Sequence, residues 1–249
     1  MPRTISSRQL AACALALLLF AAFATSAVAK GVSADLRVVG KGGKVLSEQT
    51  LSTGTISVKT STKANCFGAG TAGSGKSVTI KGATATGLLA QASKSTAALR
   101  PLLITDAFDF GLGICGVGTS VVSGKASWYL KVNHKGATLS GDAVKLKPGD
   151  EVLWNLAPSY PYPNELALVA PDTALGGQPF GVTVYSYDEK GKRKPVEGAK
   201  VTGAAALTGA DGKTMVTLSA PGTLRATHGK DIPSAAVPVC IGIACGAGY

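Results

Sequence analysis

Gly70-Thr71-Ala72-Gly73-Ser74-Gly75-Lys76-Ser77 has the full spacing of a phosphate-binding loop. In such a loop backbone amides cradle the phosphates, and the lysine and hydroxyl reach phosphate and Mg²⁺. Leu102-Leu103-Ile104-Thr105-Asp106 has the form of the acid-tipped strand that accompanies it. The surroundings exclude that chemistry. Polar Ser61–Asn65 leads into the loop where an apolar strand is required, and β-branched Val78-Thr79-Ile80 follows where a helix must start. Gly68–Gly73 fits G-x-G-x-x-G and Asp109-Phe110-Gly111 fits a kinase triplet, but both lack their companion motifs. With 32 glycines in 249 residues, such spacings arise by chance.

No motif marks a hydrolytic set, and a hydrolase whose site is assembled only in three dimensions is a third reading. There is no G-x-S-x-G; His134 falls in a turn beside Lys135 and Gly136, and His228 in one before Gly229. Of the carboxylate pairs Asp106/Asp109, Asp150/Glu151 and Asp188/Glu189, the last two lie in turns, where acids are ordinary. The expectation is a protein that is not an enzyme. Metal binding is not expected either: there are two histidines and no Cys-x-x-Cys. No cofactor is assigned.

Residues 1–29 read as a secretory signal peptide. Arg3 and Arg8 form the basic start, Leu10–Phe23 the apolar run, and Ala27-Val28-Ala29 the cleavage pattern. The expected location is extracellular, with cell-wall association as one form of it, and no membrane-spanning segment follows in the mature chain. Cys13 leaves with the signal, so Cys66, Cys115, Cys240 and Cys245 meet an oxidising compartment. Three pairings are possible. Cys66–Cys115 and Cys240–Cys245 are expected, the first tying a glycine-rich loop to the body and the second closing a small C-terminal loop. Loss of Arg3 and Arg8 takes the formal charge from +11 to +9, and +8 of it lies between Lys30 and Arg100. A basic half is drawn to anionic surfaces, and equally it keeps edge strands soluble. With so few aromatics among the lysines, nucleic acid is not a partner.

The elements that must position any site are short strands between Gly, Pro, Asp and Asn signals. The pattern predicts strands at Leu36–Val39, Val45–Leu51, Thr55–Lys59, Val78–Ile80, Leu102–Thr105, Ala126–Val132, Val144–Leu146, Val152–Leu156 and Leu166–Val169. Residues 60–77 read as an exposed loop. One helix is predicted over 84–99, capped by Thr84 and stopped by Pro101, with Leu88, Leu89, Ala92, Thr96 and Leu99 on one face. Beyond about residue 175, short strands recur every ten to fifteen residues, which suggests an all-β sandwich. The fold class is therefore mainly β with one helix (α+β). The expected units are residues 30–174 and 175–249.

The helix, Phe108–Gly113, Ser127-Trp128-Tyr129-Leu130-Lys131-Val132-Asn133 and Leu146-Lys147-Pro148-Gly149-Asp150-Glu151-Val152-Leu153-Trp154 occur in that order. Together, over about residues 78–157, they resemble the transcobalamin-like C-terminal family, a soluble-ligand-binding β-grasp group. The second half, with Pro195–Val201, Thr208–Lys213, Gly222–Ala226 and Val237–Cys240, is similar to bacterial surface Ig-like modules, which serve as spacers or adhesive units. The resemblance implies a β-grasp-like domain followed by an Ig-like β-sandwich, and a binding protein for a soluble small ligand or an anionic cell-surface polymer. The alternative is a structural or adhesive surface protein. Transcobalamin relatives use such a domain to cover one face of a corrinoid beside a large helical domain, which this chain lacks. Tyr129, Asn133 and Asp109 are the implied ligand contacts, on a rim with the Gly111–Gly118 loop. Trp128 and Trp154 read instead as core residues packing across the sheet onto the helix. One departure stands out: His134 follows Asn133 where the family has Gly. The sequence leaves the oligomeric state open.

Overall fold

The alternating runs at Val32–Val39 (β1) and Val45–Thr53 (β2) pair antiparallel and open a mainly β chain with one α-helix. A computed structural model describes residues 31–242. The signal-peptide reading of residues 1–29 and the predicted partner cysteine, Cys245, lie outside the described residues. Ile56–Lys59 (β3) pairs with Ser77–Ile80 (β4). The strand starting at Ser77 removes the helix a phosphate-binding loop requires.

Thr84 caps the helix Ala85–Ser95 (α1), its Oγ1 accepting from Gly87 N at 3.0 Å. The helix stops four residues short of the predicted end. Arg100 precedes a proline and is held extended, and Thr96 is extended as well, so Ala97–Leu99 forms a 3₁₀ turn that delivers Leu99 to the core. Thr84→Ala is expected to cost about 1 kcal/mol, or roughly 2–4 °C in Tm by calorimetry.

Leu102–Thr105 (β5), Gly113–Val117 (β6) and Ser120–Val121 (β7) form an antiparallel sheet. The expected Gly111–Gly118 loop is thus corrected to a buried strand at its centre. Its glycines are packing residues: a Cβ on Gly113 would meet the Phe67 ring at 2.8 Å, and one on Gly116 would meet Leu103 at 3.0 Å. Cys66–Cys115 bonds the preceding loop to β6, as expected. Asp106 accepts from Ser74 N (2.7 Å) and Ser74 Oγ (2.6 Å), bonds that hold its carboxyl below its ordinary value and pin the glycine-rich loop.

Ser127–Val132 (β8), Lys135–Gly136 (β9) and Glu151–Ala157 (β10) complete a five-stranded sheet ordered β2-β1-β10-β8-β9, with β1 and β10 parallel. Val144–Leu146 is not a strand. Only Lys145 bridges, to Thr84, because Val144 closes a turn onto Ser140. One sheet face carries Leu36, Val38, Leu130, Val152 and Trp154 against Leu88, Leu89 and Ala92 of α1. Trp154 Nε1 donates to Ala85 O at 3.3 Å, and Trp128 is half-buried beside this core.

The other face carries Arg37, Val39, Lys131, Leu153 and Asn155, all buried. The second half covers it. Glu165–Val169 (β11), Thr173–Ala174 (β12), Pro179–Tyr187 (β13) and Arg193–Pro195 (β14) are followed by Lys200–Val201 (β15) and Lys213–Thr217 (β16). Gly222–Leu224 (β17), Ala226–Thr227 (β18) and Val237–Ile241 (β19) close the described chain. Strand β13 pairs with β11, β14 and β16, while β19 joins β12 to β17. A second core of Leu166, Val182, Val184, Val216 and Leu224 forms inside them. Ile232 reaches back to Val39 and Leu153 on the first sheet. Cys240 is disulfide-bonded.

Candidate functional site

Period-two alternation along β8 sends Tyr129 and Lys131 to the face that meets the second half. The two residues after it, Asn133 (φ 50°) and His134 (φ 67°), form the two-residue connection to β9. Two positive φ values in a two-residue hairpin are those of a type I′ turn, for which Asn-Gly is the favoured pair. A side chain in the left-handed region costs roughly 1–2 kcal/mol, so His134 is strained where glycine would not be.

The contacts of His134 account for the strain. Its ring stacks on Tyr187 at 3.9 Å and 10°. Nδ1 lies 3.2 Å from Glu165 Oε2, and Nε2 lies 3.6 Å from Glu151 Oε2. Glu165, at the start of β11, is 2% exposed and also pairs with Arg37 Nη2 and, at 3.6 Å, with Lys131 Nζ. Arg37 Nη1 donates to Pro233 O, and Lys131 Nζ donates to Tyr187 O at 3.1 Å. Burial pushes the Glu165 carboxyl up, but the adjacent His134 ring and the charges of Arg37 and Lys131 outweigh it and hold the group below its ordinary value. Burial lowers both Arg37 and Lys131, against the opposing pull of Glu165.

A second link lies beside the first. Glu48 of β2 accepts from Arg225 Nη2 (2.6 Å) and Ala236 N (2.7 Å). Between these two links opens a cleft of about 350 Å³. Asp35, Glu48, Glu151 and Glu165 line it against Arg37 and His134, with Gln49 and Thr50 on one wall. Glu48 and Glu165 are already paired, so Asp35 and Glu151 are the carboxylates a ligand would meet, and both offer acceptors.

Two of the three residues implied by the family resemblance are brought to this strand. Tyr129 is half-buried and stacks on Tyr162 at 4.0 Å. Burial, then the Glu189 charge, pushes its phenol up to about 12. Its hydroxyl fills the space beside Gly136, where a Cβ would sit 1.8 Å away. Gly136→Ala is therefore expected to cost about 1–3 kcal/mol through overpacking, read by chemical denaturation. Asn133 spends its amide on the fold: Nδ2 donates to Asp150 Oδ1, and Oδ1 accepts from Glu151 N, both at 2.9 Å. Asp109 sits apart, exposed in the connection between β5 and β6 beside Phe108 and Phe110.

Sequence reasoning missed Arg37, Lys131, Glu165 and Tyr187 as a group. The one legible signal was His134 in place of glycine, a residue that a type I′ turn disfavours. Among the described residues the His228 ring pairs with Asp231, Nδ1 to Oδ2 at 2.8 Å, and His134 meets Glu151, Glu165 and the Tyr187 ring. Among the described residues, no group of three or more His, Cys, Asp or Glu side chains is placed to hold a metal ion, and no helix is long and apolar enough to cross a membrane.

His134→Gly sets two effects against each other. It relieves roughly 1–2 kcal/mol of backbone strain. It also removes a ring stack of about 0.5–1.5 kcal/mol and the imidazole that lies 3.2 Å from the buried Glu165 carboxylate. The two terms nearly cancel, so the net change in stability at neutral pH is expected to stay within about 1 kcal/mol. The depressed Glu165 carboxyl contributes stability that is present above the ordinary carboxylate range and lost as pH falls through its folded value. Without His134 that folded value rises, so the variant's acid unfolding limb, followed by circular dichroism, is expected to move to higher pH.

No family model matches this chain, and no curated protein or solved structure matches it either.

Proposed function

We propose that the mature chain is a secreted, non-catalytic binding protein for a small soluble ligand or the exposed units of a cell-surface polymer, seated in the acid-lined cleft. In this reading the first half is a β-grasp-like domain and the second an Ig-like sandwich that closes over its sheet. The observation that carries the proposal is the cleft of about 350 Å³ beside the strained His134 turn, a volume within the range of small-molecule sites. Its lining favours a ligand rich in hydrogen-bond donors, such as a polyol or an amine. The +8 concentrated between Lys30 and Arg100 supports retention near an anionic surface.

Native mass spectrometry of the protein recovered from its own secretion medium tests the proposal. The expected spectrum shows a chain starting at Lys30 with a carried small molecule, and Thr50→Trp, which fills the cleft, removes that molecule. A bare chain in the wild type contradicts the reading.

A structural or adhesive role has its own supporting observation. Phe67, Phe108 and Phe110 form a run of ring contacts at 5.2 and 4.9 Å, with Phe67 47% and Phe110 74% exposed, on the loops that Cys66–Cys115 ties together. If this role holds, Phe67→Ser with Phe110→Ser releases the protein from isolated cell walls while Thr50→Trp does not.

A further inference from the structure

A second cleft, of about 420 Å³, opens toward the other end of the same sheet face, where β1 and β10 end and β8 begins. Its character is the reverse of the first. Leu156, Pro158, Pro163, Val121 and Ile232 give it an apolar body. Lys41 and Lys230 stand on it, both exposed, and neither ammonium meets a carboxylate among the described residues. The one acid in the lining, Asp231, is already engaged by His228 at 2.8 Å. The lining therefore carries positive charge with no internal partner.

Asn155 supplies the second, independent observation. It lines this cleft, is 4% exposed, and its Nδ2 is buried without a hydrogen-bond partner among the described residues. A buried amide donor left unpaired costs about 1–3 kcal/mol, a penalty that an acceptor brought by a ligand removes. Gly42 and Gly43, with φ of 69° and 78°, turn the β1–β2 connection at this wall, and neither has room-limiting neighbours within 3.4 Å.

We infer that this cleft binds an amphipathic monocarboxylate. The carboxylate meets Lys41, Lys230 and the Asn155 amide, and the apolar body lies along Leu156, Pro163 and Ile232. The site is independent of the acid-lined cleft, whose lining would repel such an anion.

Decanoate is the test probe, titrated into the mature protein by isothermal calorimetry and followed by the Asn155 side-chain amide signals in NMR. Decanol and decyltrimethylammonium serve as uncharged and cationic controls. Saturable decanoate binding that shifts the Asn155 signals, at least tenfold tighter than decanol and absent for the cation, is the expected result. Lys41→Met with Lys230→Met, both on the exposed surface, is expected to weaken decanoate at least tenfold and leave decanol unchanged. Equal affinity for decanoate and decanol, unchanged binding in the double variant, or no saturable decanoate binding would each overturn the inference. Asn155→Leu gives a further check. It removes the unpaired amide, so its thermal stability is expected to hold or rise while decanoate affinity falls. An unaltered affinity in that variant contradicts the proposed contact.

Discussion

Glu165→Ala is expected to destabilise the mature chain by about 3–5 kcal/mol, because it leaves Arg37 and Lys131 buried without their counter-charge. The Arg37 and Lys131 side chains are 9% and 1% exposed, so water cannot take over the role of the carboxylate. At about 2–4 °C per kcal/mol for a chain of this size, the melting temperature falls by roughly 6–20 °C. Ion-pair arithmetic also says what restores it. A buried pair costs desolvation on both partners, so replacing the whole set with apolar side chains of similar volume is often neutral. Glu165→Leu with Arg37→Met and Lys131→Met is therefore expected to recover much of the loss. If Glu165→Ala melts like the wild type, the cluster is not what joins the two halves, and the roof of the acid-lined cleft loses its support.

Trp154→Ala is expected to cost about 3–5 kcal/mol. The indole is 4% exposed at the centre of the first core, and its Nε1 bonds Ala85 O at the first turn of α1. The loss has two parts, a cavity and one hydrogen bond. Trp154→Phe separates them: it keeps much of the volume and forfeits only the hydrogen bond, about 0.5–1.5 kcal/mol. Gly141 is a sensor of the same packing, since a Cβ there would meet the indole at 2.6 Å. Guanidinium denaturation of the two variants checks both figures. Equal losses for Phe and Ala would mean that the bond, not the volume, carries the effect.

Much of the first half was legible because its signals are local. Thr84 before an apolar 3–4 repeat and Pro101 after it each encode their element within a few residues. The helix end was misplaced because Leu99 keeps the apolar repeat while the backbone has already left the helix at Thr96. Gly113–Val117 was hidden for a different reason. Glycines normally signal loops, and here they are demanded by the Phe67 and Leu103 side chains, which come from distant parts of the chain. The site follows the same division. Asn133-His134 marks the turn from two adjacent residues. The Arg37–Lys131–Glu165–Tyr187 assembly draws on four strands and on residues up to 150 positions apart, and no periodicity announces it. Tyr129 and Asn133 were implied as ligand contacts by the family resemblance, yet the fold spends Asn133 on the Asp150–Glu151 turn and packs Tyr129 against Tyr162 and Gly136.

Amide hydrogen exchange tests ligand occupancy of the acid-lined cleft most directly. The protein is measured as recovered from its secretion medium, and again after denaturation, removal of small molecules and refolding. Stripping is expected to lower protection at residues 35–37, 48–50 and 151–153, with 182–184 in the second core unchanged. Identical exchange in the two preparations would contradict that occupancy.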